Sequence, residues 1–482
     1  MRRIRKVLAV FLVMCFVFGT LSATAEAASY VLRRNRSVSV DGGPLMIVRT
    51  LDYSYRNDTY INLRDLALVL ADSDKAFSVE IDKEEIRLTP GEVAEGELEG
   101  FDVEKNEMGA KANLVRKDLF LREEKLKYYS ISATRDDQTL DSYMALVDVA
   151  MMLDVDIEVG GDGVLRIDTK EPFFVSGEEL LDSDYLIGVN GLVVGDATTG
   201  EIYFDYSADE AYAIASTTKL MTYLTFKEAE RAGEVSESDV ITITAEAQRL
   251  SESDDGVTPM REGMKIPAKE LITAALIPSS NEAAYSLAVH AAGSEEAFVE
   301  RMNDLAKDIG MESAEFFNSH GLPSFEDVML PAKRQNLMSA KDMFIMSAYL
   351  LKEYPEVLEV TSIKETTLPN LGQEIKNSNG LLYNLPETKG LKTGTTNKSG
   401  ACLVSCIPMI KDGETHNLVV VLLGAENGVE RVRISEICGR YAMKVFEGAS
   451  GGNAADSLKV MPKDINRVVD RLVKAGLRKR VG

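Results

Sequence analysis

The chain has 482 residues and a formal net charge of −23, with 45% hydrophobic and 27% charged residues. This composition excludes a disordered, collagen-like or disulfide-rich chain, and the length is sufficient for two or three domains. The acidic balance argues against nucleic acid as a partner, because phosphate binding needs a clustered positive surface. His290, His320 and His416 are far apart and lack metal-ligand spacing, so we expect no metal site.

The first 27 residues have the order of a secretory signal peptide. Basic residues lie within Met1–Lys6, the run Val7–Phe18 is apolar, and Ala25–Ala27 supplies a small-residue cleavage signal. The apolar run is too short to span a bilayer comfortably. We therefore predict cleavage after Ala27 and a secreted, extracytoplasmic protein in the cell wall or on the outer face of the membrane. An uncleaved N-terminal anchor is the alternative.

Residues 28–175 alternate short β-rich runs with single helical stretches. The segment Tyr60–Leu70 is echoed by Tyr143–Leu153, and a strand-like piece follows each of them. A short helix that leads into a strand twice predicts a small α+β domain. The segment resembles the copper-amine-oxidase-N-like modules of secreted proteins, but no histidine lies between residues 28 and 289 to suggest a metal site. We interpret it as an accessory spacer or wall-binding module.

Residues 176–448 carry strands at both ends and helices between them. This order predicts an α/β (α+β) domain, in which a sheet is closed from both ends of the segment and a helical region is inserted. The predicted elements are a hairpin of Leu192–Ala197 and Glu201–Phe204, helices at Ala283–Ala292, Ala297–Ile309 and Ala340–Leu351, and strands at Ala401–Ile407 and Leu418–Leu423.

Residues 449–482 begin with a Gly/Ser-rich linker and end with a basic amphipathic pattern. Apolar residues recur at helical spacing from Ile465 to Leu477, and arginines and lysines fill most of the remaining positions. A basic amphipathic helix of this kind could make a peripheral contact with an anionic membrane surface. A helix docked on its own domain is an equally good interpretation.

Three cysteines follow the predicted signal peptide: Cys402, Cys406 and Cys438. Cys402 and Cys406 lie four residues apart on a predicted strand, which is too far for a disulfide. A link from Cys438 to either of them stays open. We expect buried thiols that serve as small apolar residues.

The first motif with chemical content is Ser216-Thr217-Thr218-Lys219. The apolar run after it predicts a buried helix, with Ser216 in the first turn and Lys219 three residues later on the same face. A serine hydroxyl becomes a strong nucleophile when a neighbouring base takes its proton. A lysine can be that base when burial and a nearby cation lower its pKa. The alternative is a plain helix cap at Ser216.

The second motif is Ser279-Ser280-Asn281, before an Ala-rich helix. The Ser279 hydroxyl could relay a proton to a leaving amine. The Asn281 carboxamide could bind a substrate backbone amide through one donor and one acceptor. On its own, the motif could also be a second helix cap.

The third motif, Lys392-Thr393-Gly394-Thr395-Thr396, precedes the strand Ala401–Ile407. Placed on a strand, Lys392 would offer a positive charge to a carboxylate, and Thr393 and Thr395 would project to one side. Gly394 would leave room for a substrate close to the backbone. The alternative is an exposed turn before a strand.

These motifs, in this order, resemble those of penicillin-binding proteins and class A β-lactamases, and most closely those of low-molecular-mass D-alanyl-D-alanine carboxypeptidases. The likeness covers about residues 185–448. It implies a transpeptidase-like domain with an antiparallel sheet flanked by helices and a helical subdomain. Four blocks of sequence agree with it: Ala215–Thr222, Phe317–Pro323, Asn377–Leu382 and Gly390–Gly394.

The resemblance implies that Ser216 attacks the carbonyl between two D-alanines and becomes acylated. It implies Lys219 as the general base, Ser279 as the proton shuttle to the departing D-alanine, and Asn281 as a residue that holds the peptide. The middle motif departs from the pattern, because Ser280 stands where many family members have glycine. The N-terminal module is also unusual, because the family's accessory domain usually follows the catalytic one.

The resemblance further implies that Lys392 and the hydroxyls of Thr393 and Thr396 recognise the terminal carboxylate. The backbone N–H groups of Ser216 and Thr395 would form the oxyanion hole. Peptidoglycan stem peptides would be the substrates and β-lactams covalent inhibitors. No metal or organic cofactor would be needed.

Three other functions use the same features. A β-lactamase would need a glutamate with an asparagine four residues later between the second and third motifs, and residues 282–391 contain no such pair. A peptidoglycan D,D-endopeptidase would use the same residues. A wall-binding or spacer protein would carry the catalytic domain as an inactive remnant.

Overall fold

The computed structural model describes residues 30–53, 58–101, 110–111, 113–115, 117–134, 140–325 and 333–448. The predicted signal peptide and the predicted C-terminal basic helix lie outside these residues. The chain divides into two compact units: the first runs to Pro172, and the second begins at Phe173 and also includes Glu124–Tyr128. Among the described residues, no helix is both long enough and apolar enough to cross a membrane.

The first unit is built from two sheets and two short helices. Its helices are α1 (Leu63–Val69) and α2 (Leu146–Leu153). The main sheet, with the strand order β12-β13-β1-β2-β3-β11-β10-β7 and β6 beside β1, is antiparallel except for β1 and β13. Strands β4, β5 and β8 lie side by side in the second sheet. The strands are β1 (Tyr30–Val40), β2 (Met46–Tyr53), β3 (Asp58–Asn62), β4 (Phe77–Ile81), β5 (Glu85–Pro90), β6 (Ala110–Lys111), β7 (Asn113–Val115), β8 (Asp118–Leu121), β9 (Glu124–Leu126, a part of the second unit), β10 (Ser130–Thr134), β11 (Leu140–Ala145), β12 (Asp156–Val159) and β13 (Leu165–Asp168).

The repeated segments of the first unit fold as two matching strand–helix pairs. Strand β3 leads into α1 and β11 leads into α2, and the two strands pair antiparallel with Met144 opposite Ile61. Asp65 and Asp148 hold equivalent places in the first turns of the two helices, and both are buried. Asp65 accepts hydrogen bonds from the backbone nitrogen and Nε of Arg49, at 2.7 and 2.9 Å. A buried ion pair therefore fastens α1 to β2.

The second unit is a sheet with helices packed against it and a helical region between its first and last strands. Its strands are β14 (Gly191–Asp196), β15 (Glu201–Tyr206), β16 (Tyr212–Ala213), β17 (Val240–Thr242), β18 (Lys265–Pro267), β19 (Ser324–Phe325), β20 (Lys333–Arg334), β21 (Leu337–Met338), β22 (Glu365–Leu368), β23 (Gln373–Lys376), β24 (Leu391–Thr396), β25 (Gly400–Lys411) and β26 (Glu414–Ala425). Its helices are α3 (Gly177–Asp182), α4 (Thr218–Ala232), α5 (Ala245–Ser251), α6 (Ala268–Leu276), α7 (Asn281–Ala292), α8 (Glu295–Ile309), α9 (Ala340–Glu353), α10 (Val357–Thr361), α11 (Leu381–Asn384) and α12 (Gly428–Glu447).

The main sheet of this unit has the strand order β15-β14-β26-β25-β24 and is antiparallel throughout. Its first two strands come from the start of the unit and its last three from the end, which confirms the predicted mixed α/β fold. Successive residues along the middle of β25 and β26 are buried, so both faces of the sheet are covered, and α9 and α12 pack against it. Strand β24, which carries the third motif, lies at the edge.

Helix α4 is the buried centre of the helical region. Its residues from Thr218 to Lys227 are all buried, which explains the continuous apolar run after the first motif, and the helix ends at Gly233 with a φ of +80°. The cysteines Cys402, Cys406 and Cys438 are buried and free of disulfides, as predicted. Burial raises the pKa of the Cys402 thiol to about 11, so it stays protonated and apolar.

Candidate active site

Ser216 lies in a short 3-10 turn, Ala215–Thr217, that leads directly into α4. The sequence predicted the first turn of an α-helix at this place, and the structure puts the serine just before it. Ala215 has a φ of +47°, an uncommon conformation for a residue with a side chain. A β-carbon on Gly321 would lie 2.0 Å from the carbonyl oxygen of Ala215, so the turn is held by close backbone packing. The surrounding chain fixes a strained turn with the serine at its centre.

The Lys219 amine lies at the meeting point of three segments. Its Nζ is 2.9 Å from Ser216 Oγ, 2.7 Å from Asn281 Oδ1 and 2.8 Å from the carbonyl oxygen of His320. The side chain is 1% exposed. The first and second motifs, which are remote in sequence, therefore converge on one nitrogen.

This arrangement suits a neutral amine. A neutral lysine has two N–H donors and one lone pair, and the two oxygens of Asn281 and His320 can accept the two N–H groups. The lone pair then faces the hydroxyl of Ser216. Burial lowers the pKa of Lys219 to about 7, and the charge of Glu282 partly opposes this effect. Near neutral pH, a substantial fraction of the amine can therefore act as a base.

His320 contributes its carbonyl oxygen rather than its ring to this cluster. The ring Nδ1 accepts a hydrogen bond from the backbone nitrogen of Leu322 at 3.1 Å. Burial, followed by the charge of Lys219, lowers the pKa of His320 to about 3, so the imidazole is neutral. The amide of Asn336 binds the carbonyl oxygen of Asn318 at 2.9 Å and the hydroxyl of Thr218 at 3.0 Å, which fastens this segment to α4.

The second motif begins α7. Ser280 is its N-cap, and the Ser280 hydroxyl accepts a hydrogen bond from the backbone nitrogen of Ala283 at 3.1 Å. Asn281 points its Oδ1 to Lys219, as described above, and its Nδ2 donates to the carbonyl oxygen of Asp255 at 2.9 Å. Ser279 is half-buried and has a φ of +74°. Within the described part of the chain, no hydrogen bond of its side chain is formed.

The third motif lies on β24, with Gly394 paired opposite Cys402 of β25. A β-carbon on Gly394 would lie 2.9 Å from the backbone nitrogens of Ser216 and Thr217. The strand therefore runs directly against the turn Ala215–Thr217, which holds Ser216. All three motifs meet in one place.

The threonine hydroxyls of β24 have protein partners. Thr393 Oγ1 is 2.5 Å from the Oγ of Ser378, which belongs to the turn before α11. Thr396 Oγ1 donates to Gln335 Oε1 at 3.0 Å and accepts from the backbone nitrogen of Ser399 at 3.0 Å, so it also closes the turn between β24 and β25. The hydroxyls of Thr393 and Thr396 thus hold β24 to the segments around Ser378, Gln335 and Ser399.

Two basic side chains, Lys392 on β24 and Arg431 on α12, lie at the third motif. Lys392 is 1% exposed, and its Nζ donates to the carbonyl oxygen of Thr393 at 3.0 Å. Burial, the charge of Lys219 and the charge of Arg431 hold the pKa of Lys392 well below its usual value. Arg431, in the first turns of α12, donates from Nη1 to Thr395 Oγ1 at 3.0 Å. The reasoning from sequence missed this arginine, because no motif surrounds it.

A model of the D-alanyl-D-alanine carboxypeptidase family matches residues 184–427, about half of the chain. The chain is 30% identical over 223 residues to the D-alanyl-D-alanine carboxypeptidase DacA of Escherichia coli K12, and the match covers 45% of this chain and 53% of that protein. It is 31% identical over 242 residues to DacF of Bacillus subtilis 168, which covers 50% of this chain and 58% of DacF. The chain thus spans a little over half the length of these curated relatives.

A solved structure similar to this chain is penicillin-binding protein D2 from Listeria monocytogenes in the ampicillin-bound form. The similarity covers 53% of this chain and 98% of that structure, with 27% sequence identity and a TM-score of 0.46.

Proposed function

Because the chain belongs to the D-alanyl-D-alanine carboxypeptidase family, we propose that it is a serine-type D-alanyl-D-alanine carboxypeptidase. It removes the terminal D-alanine from peptidoglycan stem pentapeptides through an acyl-enzyme on Ser216. The observation that carries the proposal is the distance of 2.9 Å between Lys219 Nζ and Ser216 Oγ. A base in hydrogen-bond contact with the hydroxyl is the first geometric requirement for this chemistry.

In the acylation step, the Ser216 oxygen attacks the carbonyl between the two D-alanines while its proton passes to the neutral amine of Lys219. The carbonyl oxygen becomes an oxyanion, which the backbone N–H groups of Ser216 and Thr395 would stabilise. The close packing of Gly394 against Ser216 supports this role, because it brings the strand and the nucleophile turn together.

When the tetrahedral intermediate collapses, the peptide C–N bond breaks and the leaving amine needs a proton. That proton comes from Lys219, relayed by the Ser279 hydroxyl, and D-alanine leaves while an ester remains on Ser216. Water then attacks the ester and gives a proton to Lys219. Lys219 passes that proton to the Ser216 oxygen as the ester C–O bond breaks and the shortened peptide leaves. Asn281 holds the peptide backbone during both steps. No metal or organic cofactor takes part.

The terminal carboxylate distinguishes the substrate from an internal peptide. We assign its recognition to Lys392, Thr393 and Thr396, and add Arg431, whose guanidinium contacts Thr395 from α12. Cationic side chains and hydroxyls at one strand edge are suited to an anion. A bound carboxylate would raise the pKa of Lys392 again and keep it charged.

β-Lactams would acylate the same serine, because their strained amide carbonyl and their carboxylate present the same groups to the site. The lactam C–N bond breaks but the amine stays attached to the acyl group, so no leaving group departs. We therefore expect a long-lived covalent adduct at Ser216.

Release of D-alanine from a pentapeptide that ends in D-Ala-D-Ala tests the proposal. Wild type should release D-alanine, and Ser216→Ala should not. Mass spectrometry of the penicillin adduct should place the label on the peptide that contains Ser216. Absence of release by wild type above the level of Ser216→Ala would overturn the proposal in favour of a non-enzymatic wall-binding or spacer protein.

The lifetime of the penicillin adduct and the cleavage of cross-linked peptide dimers separate the enzymatic alternatives. A β-lactamase would turn over many penicillin molecules instead of keeping the adduct. A D,D-endopeptidase would cleave cross-linked dimers at a rate comparable to that for pentapeptides.

We propose that residues 28–175 are a copper-amine-oxidase-N-like accessory module, which binds the cell wall or acts as a spacer. We also propose that residues 1–27 are a signal peptide that directs export. The basic segment 465–480 would bind peripherally to an anionic membrane surface. Fractionation of the producing cell tests export. Sedimentation with vesicles of anionic and of neutral lipid, with and without residues 461–482, tests membrane contact.

A further inference from the structure

The segment that connects α5 to β18 is fastened to the beginning of α7 by a buried carboxylate. Glu282 Oε1 accepts hydrogen bonds from the backbone nitrogen of Val257 at 3.0 Å, from Thr258 Oγ1 at 2.7 Å, and from the backbone nitrogen of Thr258. Thr258 Oγ1 is also 2.8 Å from the hydroxyl of Ser280. Glu282, Thr258 and Ser280 are all buried, so this attachment is shielded from water. We call residues 253–260 the anchored loop.

The anchored loop decides which end of the Asn281 amide faces the reaction. Its Asp255 carbonyl oxygen accepts from Asn281 Nδ2 at 2.9 Å, which leaves Oδ1 to accept from Lys219 Nζ at 2.7 Å. A reversed amide would place two N–H donors against the amine and leave the Asp255 carbonyl without its donor. The position of the anchored loop therefore sets the acceptor that Lys219 meets.

Glu282 also carries a negative charge that acts on Lys219. It is fully buried, and its Oε2 has no hydrogen-bond partner within the described residues. Three titratable groups are coupled to Lys219. The charge of Glu282, from α7, raises the pKa of Lys219, whereas the charge of Lys219 lowers the pKa values of His320, from the segment 317–323, and of Lys392, from β24. His320 is neutral, and a proton on Lys392 would oppose protonation of Lys219 rather than favour it. Glu282 is thus the group in this set that favours a protonated amine.

We propose that Glu282 is a positioning residue for the reaction: it holds the anchored loop on α7, turns the Asn281 amide toward Lys219, and adds a buried negative charge to the surroundings of that amine. This inference rests on the proposed function. It explains the serine at position 280, because Ser280 caps α7 and at the same time contacts Thr258 of the anchored loop. Glycine in this position would supply neither contact.

The pH dependence of acylation by a fluorescent penicillin tests the role of the charge. In Glu282→Gln, the acid limb of the rate profile should move to lower pH by about half a unit to one unit, because a charge that favours the protonated amine is removed. Glu282→Asp keeps the charge on a shorter side chain, so its midpoint should stay within about 0.3 units of wild type while the rate at high pH falls.

Glu270→Gln is the matched control. Glu270 is a buried glutamate on the neighbouring helix α6, and it holds another loop in the same way, by accepting from the backbone nitrogens of Asn370 at 2.9 Å and Leu371 at 3.1 Å. It does not contribute to the pKa shift of Lys219. Its substitution should change stability without moving the acid limb, so a shift common to both glutamines would overturn the inference.

Thr258→Val tests the anchoring separately. It removes the hydroxyl that joins Glu282 to Ser280 but leaves the charge, so we expect an acylation rate about 3- to 10-fold lower with an unchanged midpoint. The inference is wrong if Glu282→Gln folds and the midpoint of its acid limb equals that of wild type. If Glu282→Gln does not fold, the inference is wrong when Thr258→Val is acylated as fast as wild type. A wild-type protein that is not acylated at all would instead refute the proposed function.

Discussion

Gly394 and Ser216 approach each other so closely that a β-carbon on Gly394 would lie 2.9 Å from the backbone nitrogen of Ser216. The other atoms at this distance, the carbonyl oxygen of Ile214 and the nitrogen of Thr217, are also backbone. None of them can rotate away as a side chain would. The glycine of the third motif is therefore needed for contact between β24 and the turn Ala215–Thr217, which brings the two halves of the proposed oxyanion hole together.

Gly394→Ala should push β24 away from Ser216 and misplace the N–H group of Thr395. We expect the rate of acylation by penicillin to fall by at least about 100-fold, the cost of losing one oxyanion donor, with the fold retained. Stopped-flow acylation and circular dichroism measure the two properties. Gly161→Ala is the control, because a β-carbon on Gly161 would meet nothing within 4 Å. Wild-type acylation in Gly394→Ala would contradict the argument.

Arg431→Met should weaken recognition of the terminal carboxylate. Arg431 contacts Thr395 at the exposed side of β24, so its charge lies where a substrate anion would bind. We expect kcat/KM for the D-Ala-D-Ala peptide to fall about 10-fold, and acylation by penicillin to fall more than acylation by penicillin methyl ester. Lys444→Met removes a cation from the last turn of the same helix and should leave both rates unchanged. Equal losses with the acid and its ester would argue against carboxylate recognition.

The main elements of the site could be predicted because each motif is contiguous in sequence. Ser216 and Lys219 lie within four residues of each other, and the pattern around Lys392 is rare. The mixed fold could be predicted from the apolar β-branched runs that form β25 and β26. The pattern also predicted the buried helix after Ser216, although the serine itself lies in a 3-10 turn before that helix.

Other features depend on contacts over long distances along the chain, which no local pattern records. Arg431 stands among other charged residues on α12, and its place in the site comes from contacts such as that with Thr395, 36 positions away. Glu282 follows a recognised motif, but its role depends on the irregular segment around Thr258. The backbone nitrogen of Lys127 binds Asn384 across 257 positions. Nothing in the sequence near Lys127 indicates that it contacts α11.

Tyr128→Phe should destabilise the second unit more than Tyr441→Phe. The Tyr128 hydroxyl donates to Glu436 Oε1 at 2.7 Å, whereas the Tyr441 hydroxyl donates to the carbonyl oxygen of Tyr203 at 3.1 Å. Hydrogen bonds to charged groups contribute about 1.5–3 kcal/mol, and neutral ones about 0.5–1.5 kcal/mol. Burial already raises the pKa of Glu436, and loss of the tyrosine donor raises it further. The free energy of unfolding in urea checks the order.

Equal losses in the two variants would contradict the prediction. They would mean that Arg440, which already donates to the same carboxylate oxygen from Nη2 at 3.1 Å, satisfies Glu436 without the tyrosine. A smaller loss in Tyr128→Phe than in Tyr441→Phe would contradict the assignment of Glu124–Tyr128 to this unit's structure.

The stability of the protein should depend on pH through Lys219, and Lys219→Met should remove that dependence. The pKa of Lys219 is about 7 in the folded protein and 10.5 without its environment. Between these values the unfolded chain binds one more proton than the folded chain, so the free energy of unfolding rises with pH by up to about 1.4 kcal/mol per unit. The methionine variant has no titrating amine at this position. The free energy of unfolding of the wild type should therefore increase relative to that of Lys219→Met steadily from about pH 7 to pH 10. The same variant should not be acylated.

Lys227→Met on the same helix is the control, because the pKa of Lys227 is shifted in the opposite direction to that of Lys219. Its hydrogen bonds to Glu230 and Glu237, at 2.5 and 2.8 Å, outweigh burial and raise the pKa of Lys227. Lys227 is therefore protonated in both states below about pH 10, and its contribution to stability is lost only as the pH rises through the folded value. The difference between wild type and Lys227→Met should stay flat over the range in which Lys219→Met diverges. Parallel curves for wild type and Lys219→Met would mean that the amine near Ser216 stays charged at neutral pH, and the general base would then have to be sought elsewhere.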